Sequence, residues 1–160
     1  MAIAIIIGLA VIGVGLAFGY SGGKNEASAD SGTSPRISLE QSTLDWGTVS
    51  AAAGPVSREV KITNTGTRDL IIKKISTSCG CTSARLTTAQ RTTPVLAMDH
   101  GGNLPPIRET IKPGEEAKLA ITYDPNTHYV RGPITRVVYI VSDDPDLPEA
   151  EINNNITVTD

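Results

Sequence analysis

Beyond residue 36 the apolar residues recur with a period of two rather than the helical period of about 3.6, which restricts the chain to half-buried strands. Ile37 and Leu39 open the pattern, and Leu44-Asp45-Trp46-Gly47-Thr48-Val49 continues it. Gly54-Pro55 then leads into a run from Val56 to Thr63, where Val56, Val60 and Ile62 share a face. Asn64-Thr65-Gly66-Thr67 is turn chemistry, and Leu70 to Ile75 forms the next strand. After the turn Lys112-Pro113-Gly114-Glu115, Leu119, Ile121 and Tyr123 alternate with Lys118, Ala120 and Thr122. Pro133 to Ser142 is almost continuously apolar, Asp143-Asp144-Pro145-Asp146 stops it, and Ala150, Ile152, Ile156 and Val158 align on a last strand. About seven short strands separated by turns, with no soluble helix, predict an all-β, antiparallel β-sandwich. Trp46 is expected in its core, with its indole N–H needing a partner there.

The 160 residues hold enough apolar content, at 39%, for one such core. Aromatic residues are only 4%, so the core must rest on Ile, Val and Leu, which suits strands. A net charge of -3 and the lack of a basic run with interleaved aromatics leave no basis for binding nucleic acid.

Met1 to Tyr20 is almost wholly apolar and long enough, as a helix, to span a bilayer. It reads as a transmembrane anchor or signal peptide. Ala17-Phe18-Gly19 and Ala27-Ser28-Ala29 both satisfy the small-residue rule for cleavage, and no Lys or Arg precedes the segment. Lys24 alone would hold the following domain inside, but Glu26 and Asp30 offset it. The expectation is a membrane anchor with an exported C-terminal domain, or a secreted domain if the segment is cleaved. Residues 21–35, rich in Ser, Gly, Ala and Asn, read as a flexible linker, and residues 36–160 as the sandwich domain, with a long loop at 82–112.

The chain's only two cysteines stand one residue apart in Thr77-Ser78-Cys79-Gly80-Cys81-Thr82, at a strand end. Gly80 between them allows a turn that aims both sulfurs at one point. In an extended strand their Cα atoms would sit near or beyond the limit of about 7 Å for a bridge, so an ordinary structural disulfide is the weaker reading and a tight, reducible one stays open. In the long loop, Met98 is the only methionine besides the initiator and His100 is one of two histidines. Thiolate, thioether and imidazole together form a donor set for a soft metal ion, so Cys79, Cys81, Met98 and His100 are the candidate metal ligands, with copper favoured over zinc. The alternative for each is plain: buried turn cysteines, a methionine tucked against the sandwich, an exposed loop histidine. His128, in Asp124-Pro125-Asn126-Thr127-His128-Tyr129, reads as a surface turn residue, and Asp143, Asp144 and Asp146 as a solvated turn with too few ordered oxygens for Ca²⁺.

Residues Ile37 to Asp160 resemble the bacterial DUF1573 family, a domain of unknown function akin to the major-sperm-protein type of module. The resemblance is carried by Trp46-Gly47-Thr48-Val49, Asn64-Thr65-Gly66, the Ser78-Cys79-Gly80-Cys81-Thr82 motif, Pro113-Gly114 and Ser142-Asp143-Asp144-Pro145. It implies an immunoglobulin-like sandwich, exported and often membrane-anchored, and no agreed activity. Some members carry a Met-x-x-His-like segment in the loop after the cysteines, which Met98-Asp99-His100 resembles at a shorter spacing.

No nucleophile elbow occurs, and nothing supplies an oxyanion hole beside a Cys-His pair, so no catalytic or organic-cofactor residues are assigned and an enzyme is not expected. The leading expectation is a membrane-tethered extracytoplasmic module holding a copper ion through Cys79 and Cys81. The alternatives are a structural module of the cell envelope that pairs with another envelope protein, and a thiol–disulfide relay.

Overall fold

The computed structural model describes residues 33–102, 104 and 106–160. The helix expected at 1–20, and the linker expected at 21–35 as far as residue 32, lie outside the described residues. No helix among the described residues is long and apolar enough to cross a membrane.

Among the described residues, nine strands form two sheets. Strands β1 (Ile37–Leu39), β3 (Val56–Asn64), β7 (Glu116–Tyr123) and β5 (Thr82–Thr87) make one, in the order β1-β3-β7-β5. The other runs β2-β9-β8-β4-β6, from β2 (Thr43–Ser50), β9 (Glu149–Thr159), β8 (Gly132–Ser142), β4 (Leu70–Thr77) and β6 (Glu109–Ile111). The period-two residues of both sheets meet in one core: Val60, Ile62, Leu119 and Ile121 from one face, Ile72, Val138, Ile140 and Ile152 from the other, all fully buried. Each such side chain contributes about 1.5–3 kcal/mol on removal from water, and this burial holds the β-sandwich together.

Two expectations on architecture need correction. The sandwich has nine strands rather than about seven, because the segment 82–112 expected as a loop contains β5 and β6. Strand β5 alternates Thr82, Ala84 and Leu86 inward, a pattern with little apolar weight, and β6 is three residues long. The sandwich is also not wholly antiparallel, since β2 runs parallel to β9 with a bulge between Asp45 and Gly47. A period-two pattern reports which face is buried and is blind to strand direction.

The remaining excursion, after β5, is tied back along it. Ala84 and Leu96 exchange both backbone hydrogen bonds at 2.7 and 2.8 Å, Thr93 N–H donates to the Leu86 carbonyl, and Thr77 N–H donates to the Ala97 carbonyl. Arg91 clamps the buried Glu109 carboxylate through Nε and Nη2, and Lys74 pairs with Asp99. The aspartates after β8 are not simply solvated. Asp144 is 2% exposed and accepts from the Ile37 N–H at 2.8 Å and from Arg36, fastening β1 to the far sheet. Because β4 belongs to one sheet and β5 to the other, the cysteines sit at the corner where the chain crosses between them.

Candidate thiol site

Cys79 and Cys81 are joined by a disulfide, with Cα atoms 5.3 Å apart. The spacing expected for an extended strand does not apply, because β4 ends at Thr77 and the chain turns before β5 begins. The turn is fixed by bonds that do not involve the S–S link. Thr82 N–H donates to the Cys79 carbonyl at 3.1 Å, and the Thr77 hydroxyl lies 2.9 Å from the carbonyl oxygens of both Cys79 and Thr82. Ser78 N–H donates to the Val137 carbonyl, the Val137 N–H returns to Ser78 Oγ, and the Asp124 N–H donates to the Cys81 carbonyl. Gly80 is not in the left-handed region, and a Cβ there would meet nothing within 4 Å. Its conformational freedom is therefore not what the turn uses; its lack of a side chain leaves the outside of the corner bare.

An open cleft of about 610 Å³ lies over this corner. Ser78, Cys79 and Gly80 form one wall, and Met98 with His100 another. Thr127, His128 and Arg136 complete it. The cleft thus gathers three of the four residues expected as ligands, Cys79, Met98 and His100, together with the chain's other histidine. The fourth, Cys81, is only 3% exposed and lies behind Cys79 in the core. Among the described residues no three His, Cys, Asp or Glu side chains are grouped to hold a metal ion, and the two sulfurs, bonded to each other, present no thiolate. The soft-donor set would be completed only by reduction.

Asp99 fixes the Met98–His100 wall. Its carboxylate takes a hydrogen bond from the Lys74 ammonium, which holds its pKa below the ordinary value of 3.8 against desolvation, and accepts from the Gly102 N–H. On the opposite side, Asp124 Oδ1 accepts from the Asn126 N–H, and Asn126 reaches the Ala51 carbonyl, which sets the turn carrying Thr127 and His128. Burial pushes the Tyr123 hydroxyl above its ordinary value, opposed by the nearby Arg136 and Arg131 charges.

Arg136 is the feature the motifs did not indicate. Its Nε–H points at Cys81 Sγ, 3.2 Å away, and its Nη1 is anchored on the Thr135 carbonyl at 3.0 Å. Its own carbonyl accepts from Asn154 Nδ2 at 3.0 Å, and Asn154 Oδ1 accepts the Trp46 indole N–H at 3.1 Å. Trp46 thus has the core position and the partner expected of it. A signal existed in both cases: Arg136 is the one charged residue of the apolar strand β8, and Asn154 interrupts the inward row of Ala150, Ile152, Ile156 and Val158.

Residues 37–95, which span both cysteines, match the model of a family described as "Protein of unknown function (DUF1573)". No curated protein matches the chain. Among solved structures, the chain is similar to a protein of unknown function from Porphyromonas gingivalis W83, with a TM-score of 0.58 and 20% identity over 83% of this chain and 51% of that one. It is also similar to a family 123 glycoside hydrolase from Clostridium perfringens (TM-score 0.54, 8% identity, 79% of this chain, 27% of that one). A third is the secreted serine protease VesC from Vibrio cholerae (TM-score 0.51, 12% identity, 78% of this chain, 23% of that one). The chain spans about half or less of these proteins. At such identities the likeness shows the sandwich fold alone.

Proposed function

For a chain that carries the DUF1573 segment at residues 37–95, we propose an envelope domain, held outside the cytoplasm by its apolar first segment, that exchanges disulfides through Cys79 and Cys81. The observation that carries this reading is a single bond laid across a boundary: half-buried Cys79 lines an open cleft while its partner sulfur lies in the core. A disulfide persists where the compartment is oxidising, which agrees with export. As a staple this one does little, because a link between residues two apart closes so short a loop that it constrains the unfolded chain by only about 1–2 kcal/mol. The hydrogen bonds from Thr77, Thr82, Ser78 and Asp124 keep the corner shaped when the bond opens, so the sulfurs stay in reach of each other. A dithiol mixed with the oxidised full chain in detergent tests the reading. One Cys-x-x-Cys protein dithiol should be oxidised per chain, and none by the Cys79→Ser/Cys81→Ser variant; equal yields from both would reject it.

A second reading is favoured by the gathering of Met98, His100 and His128 around Cys79. Reduced, the pair would supply thiolates to a soft-metal site that suits Cu(I) ahead of Zn²⁺. The reduced full chain should then bind one equivalent of Cu(I) and the double serine variant none. Equal uptake by both would discard it.

A further inference from the structure

We infer that Arg136 makes the exchange one-sided, so that an incoming thiolate attacks Cys79 Sγ and Cys81 departs as a thiolate held by the guanidinium. This rests on the exchange reading above and adds its direction, its leaving group and its partner class. Two independent observations point the same way. Access favours Cys79, which lines the cleft beside the bare Gly80, over Cys81, which is 3% exposed. Charge favours Cys81 as the sulfur that leaves, because the Arg136 Nε–H already stands 3.2 Å from it.

A disulfide sulfur is a weak acceptor, so this contact contributes little while the bond is intact. Once the bond breaks, the same donor faces a full negative charge, and the hydrogen bond becomes a charge-assisted one. The interaction is therefore stronger in the reduced state than in the oxidised state. That difference draws the pair towards reduction and makes the domain an electron acceptor. Arg136 needs no rearrangement for this, since the Thr135 carbonyl anchors its Nη1 and Asn154 its main chain.

The steps balance with a partner that carries two thiols. The first partner thiolate forms an S–S bond to Cys79 as the Cys79–Cys81 bond breaks, and the bonding pair goes to Cys81. The second partner thiolate attacks the partner sulfur of the mixed disulfide, and Cys79 leaves with that electron pair and takes a proton from water. The partner ends as a disulfide and the domain as a Cys79 thiol beside a Cys81 thiolate; of the two protons the partner thiols release to water, one returns to Cys79 and one stays in solvent, a two-electron transfer that needs no further reagent. The partner class that completes both steps in one encounter is a protein presenting a close pair of cysteines.

The test compares the full-length wild-type chain with Arg136→Met and Arg136→Lys by redox titration. Arg136→Met, which keeps an apolar stem, should lower the equilibrium constant for reduction about tenfold, a shift of about 30 mV to more negative potential. Arg136→Lys, which keeps the charge without the planar fork, should shift it less. A second readout is the thiolate absorbance of Cys81 in the Cys79→Ser chain, whose pH profile should move to higher pH when Arg136→Met is added. Unchanged potentials together with an unchanged profile would overturn the inference. If the wild-type chain itself fails to oxidise a dithiol, the exchange reading has failed first; if it succeeds and Arg136→Met matches it in both readouts, only the role of Arg136 is lost.

Discussion

A Cβ placed on Gly66 would stand 2.2 Å from the Ser34 carbonyl oxygen and 2.6 Å from the Arg36 amide nitrogen, both of them backbone atoms with no rotamer to yield. The turn accepts the incoming chain there: Thr65 N–H donates to the Arg36 carbonyl, and Asn64 Oδ1 receives the N–H groups of Arg36 and Gly66. Gly66→Ala should therefore lower stability by more than about 2 kcal/mol in urea unfolding. Gly80 behaves oppositely, with an ordinary backbone and open space for 4 Å around the point where a Cβ would stand. Gly80→Ala should leave stability within about 0.5 kcal/mol of wild type, whereas Gly80→Leu should slow oxidation of a protein dithiol several-fold by screening Cys79. Equal rates for Gly80→Leu and wild type would place the attack elsewhere. The Cys79→Ser/Cys81→Ser chain should lose no more than about 2 kcal/mol, because the disulfide closes so short a loop. At this scale the sequence showed which residues matter without showing why: a glycine between cysteines suggests a conformational role, and only the turn's own hydrogen bonds show that its missing side chain is what counts.

Strand β1 is three residues long, and its attachment depends on Asp144. Burial pushes that carboxyl up, but hydrogen bonds from the N–H groups of Ile37, Asp146 and Leu147 and from Arg36 outweigh it, leaving the pKa below the ordinary 3.8. A carboxyl depressed in the folded state stabilises fully above its unfolded pKa, and that stabilisation is lost as pH falls through the folded value. Protection of the Ile37–Leu39 amides, taken relative to their intrinsic exchange at each pH, should therefore be full at neutral pH and fall as pH drops below about 3.8, and Asp144→Asn should weaken it at neutral pH while making little difference once the wild-type carboxyl is protonated. A β1 whose protection ignores both changes would contradict this attachment. Elements with strong alternation, such as β3, β7 and β9, were legible in the chain itself. Strand β5 was not, because Thr82 and Ala84 give its buried face little apolar contrast, and β6 was too short to show a period.

At the scale of the molecule, the cleft is assembled from three separated stretches: the corner at Ser78–Gly80, the wall at Met98–His100, and the residues Thr127, His128 and Arg136. The first two stand near each other in sequence and their rare donor types made them visible. The third arrives through sheet pairing, since Val137 N–H bonds Ser78 Oγ and β8 pairs with β4, and no sequence spacing reports that neighbourhood. The same sheet pairing sets the half-buried sulfur against the buried one and puts a guanidinium on the latter. The decisive quantity is the reduction potential of the Cys79–Cys81 pair in the whole chain. An exchanging pair should have a value more positive than about −300 mV, as labile or reactive disulfides do. A value more negative than about −300 mV, in the range of inert structural bridges, would rule out exchange and leave a sandwich whose cysteines serve only the corner.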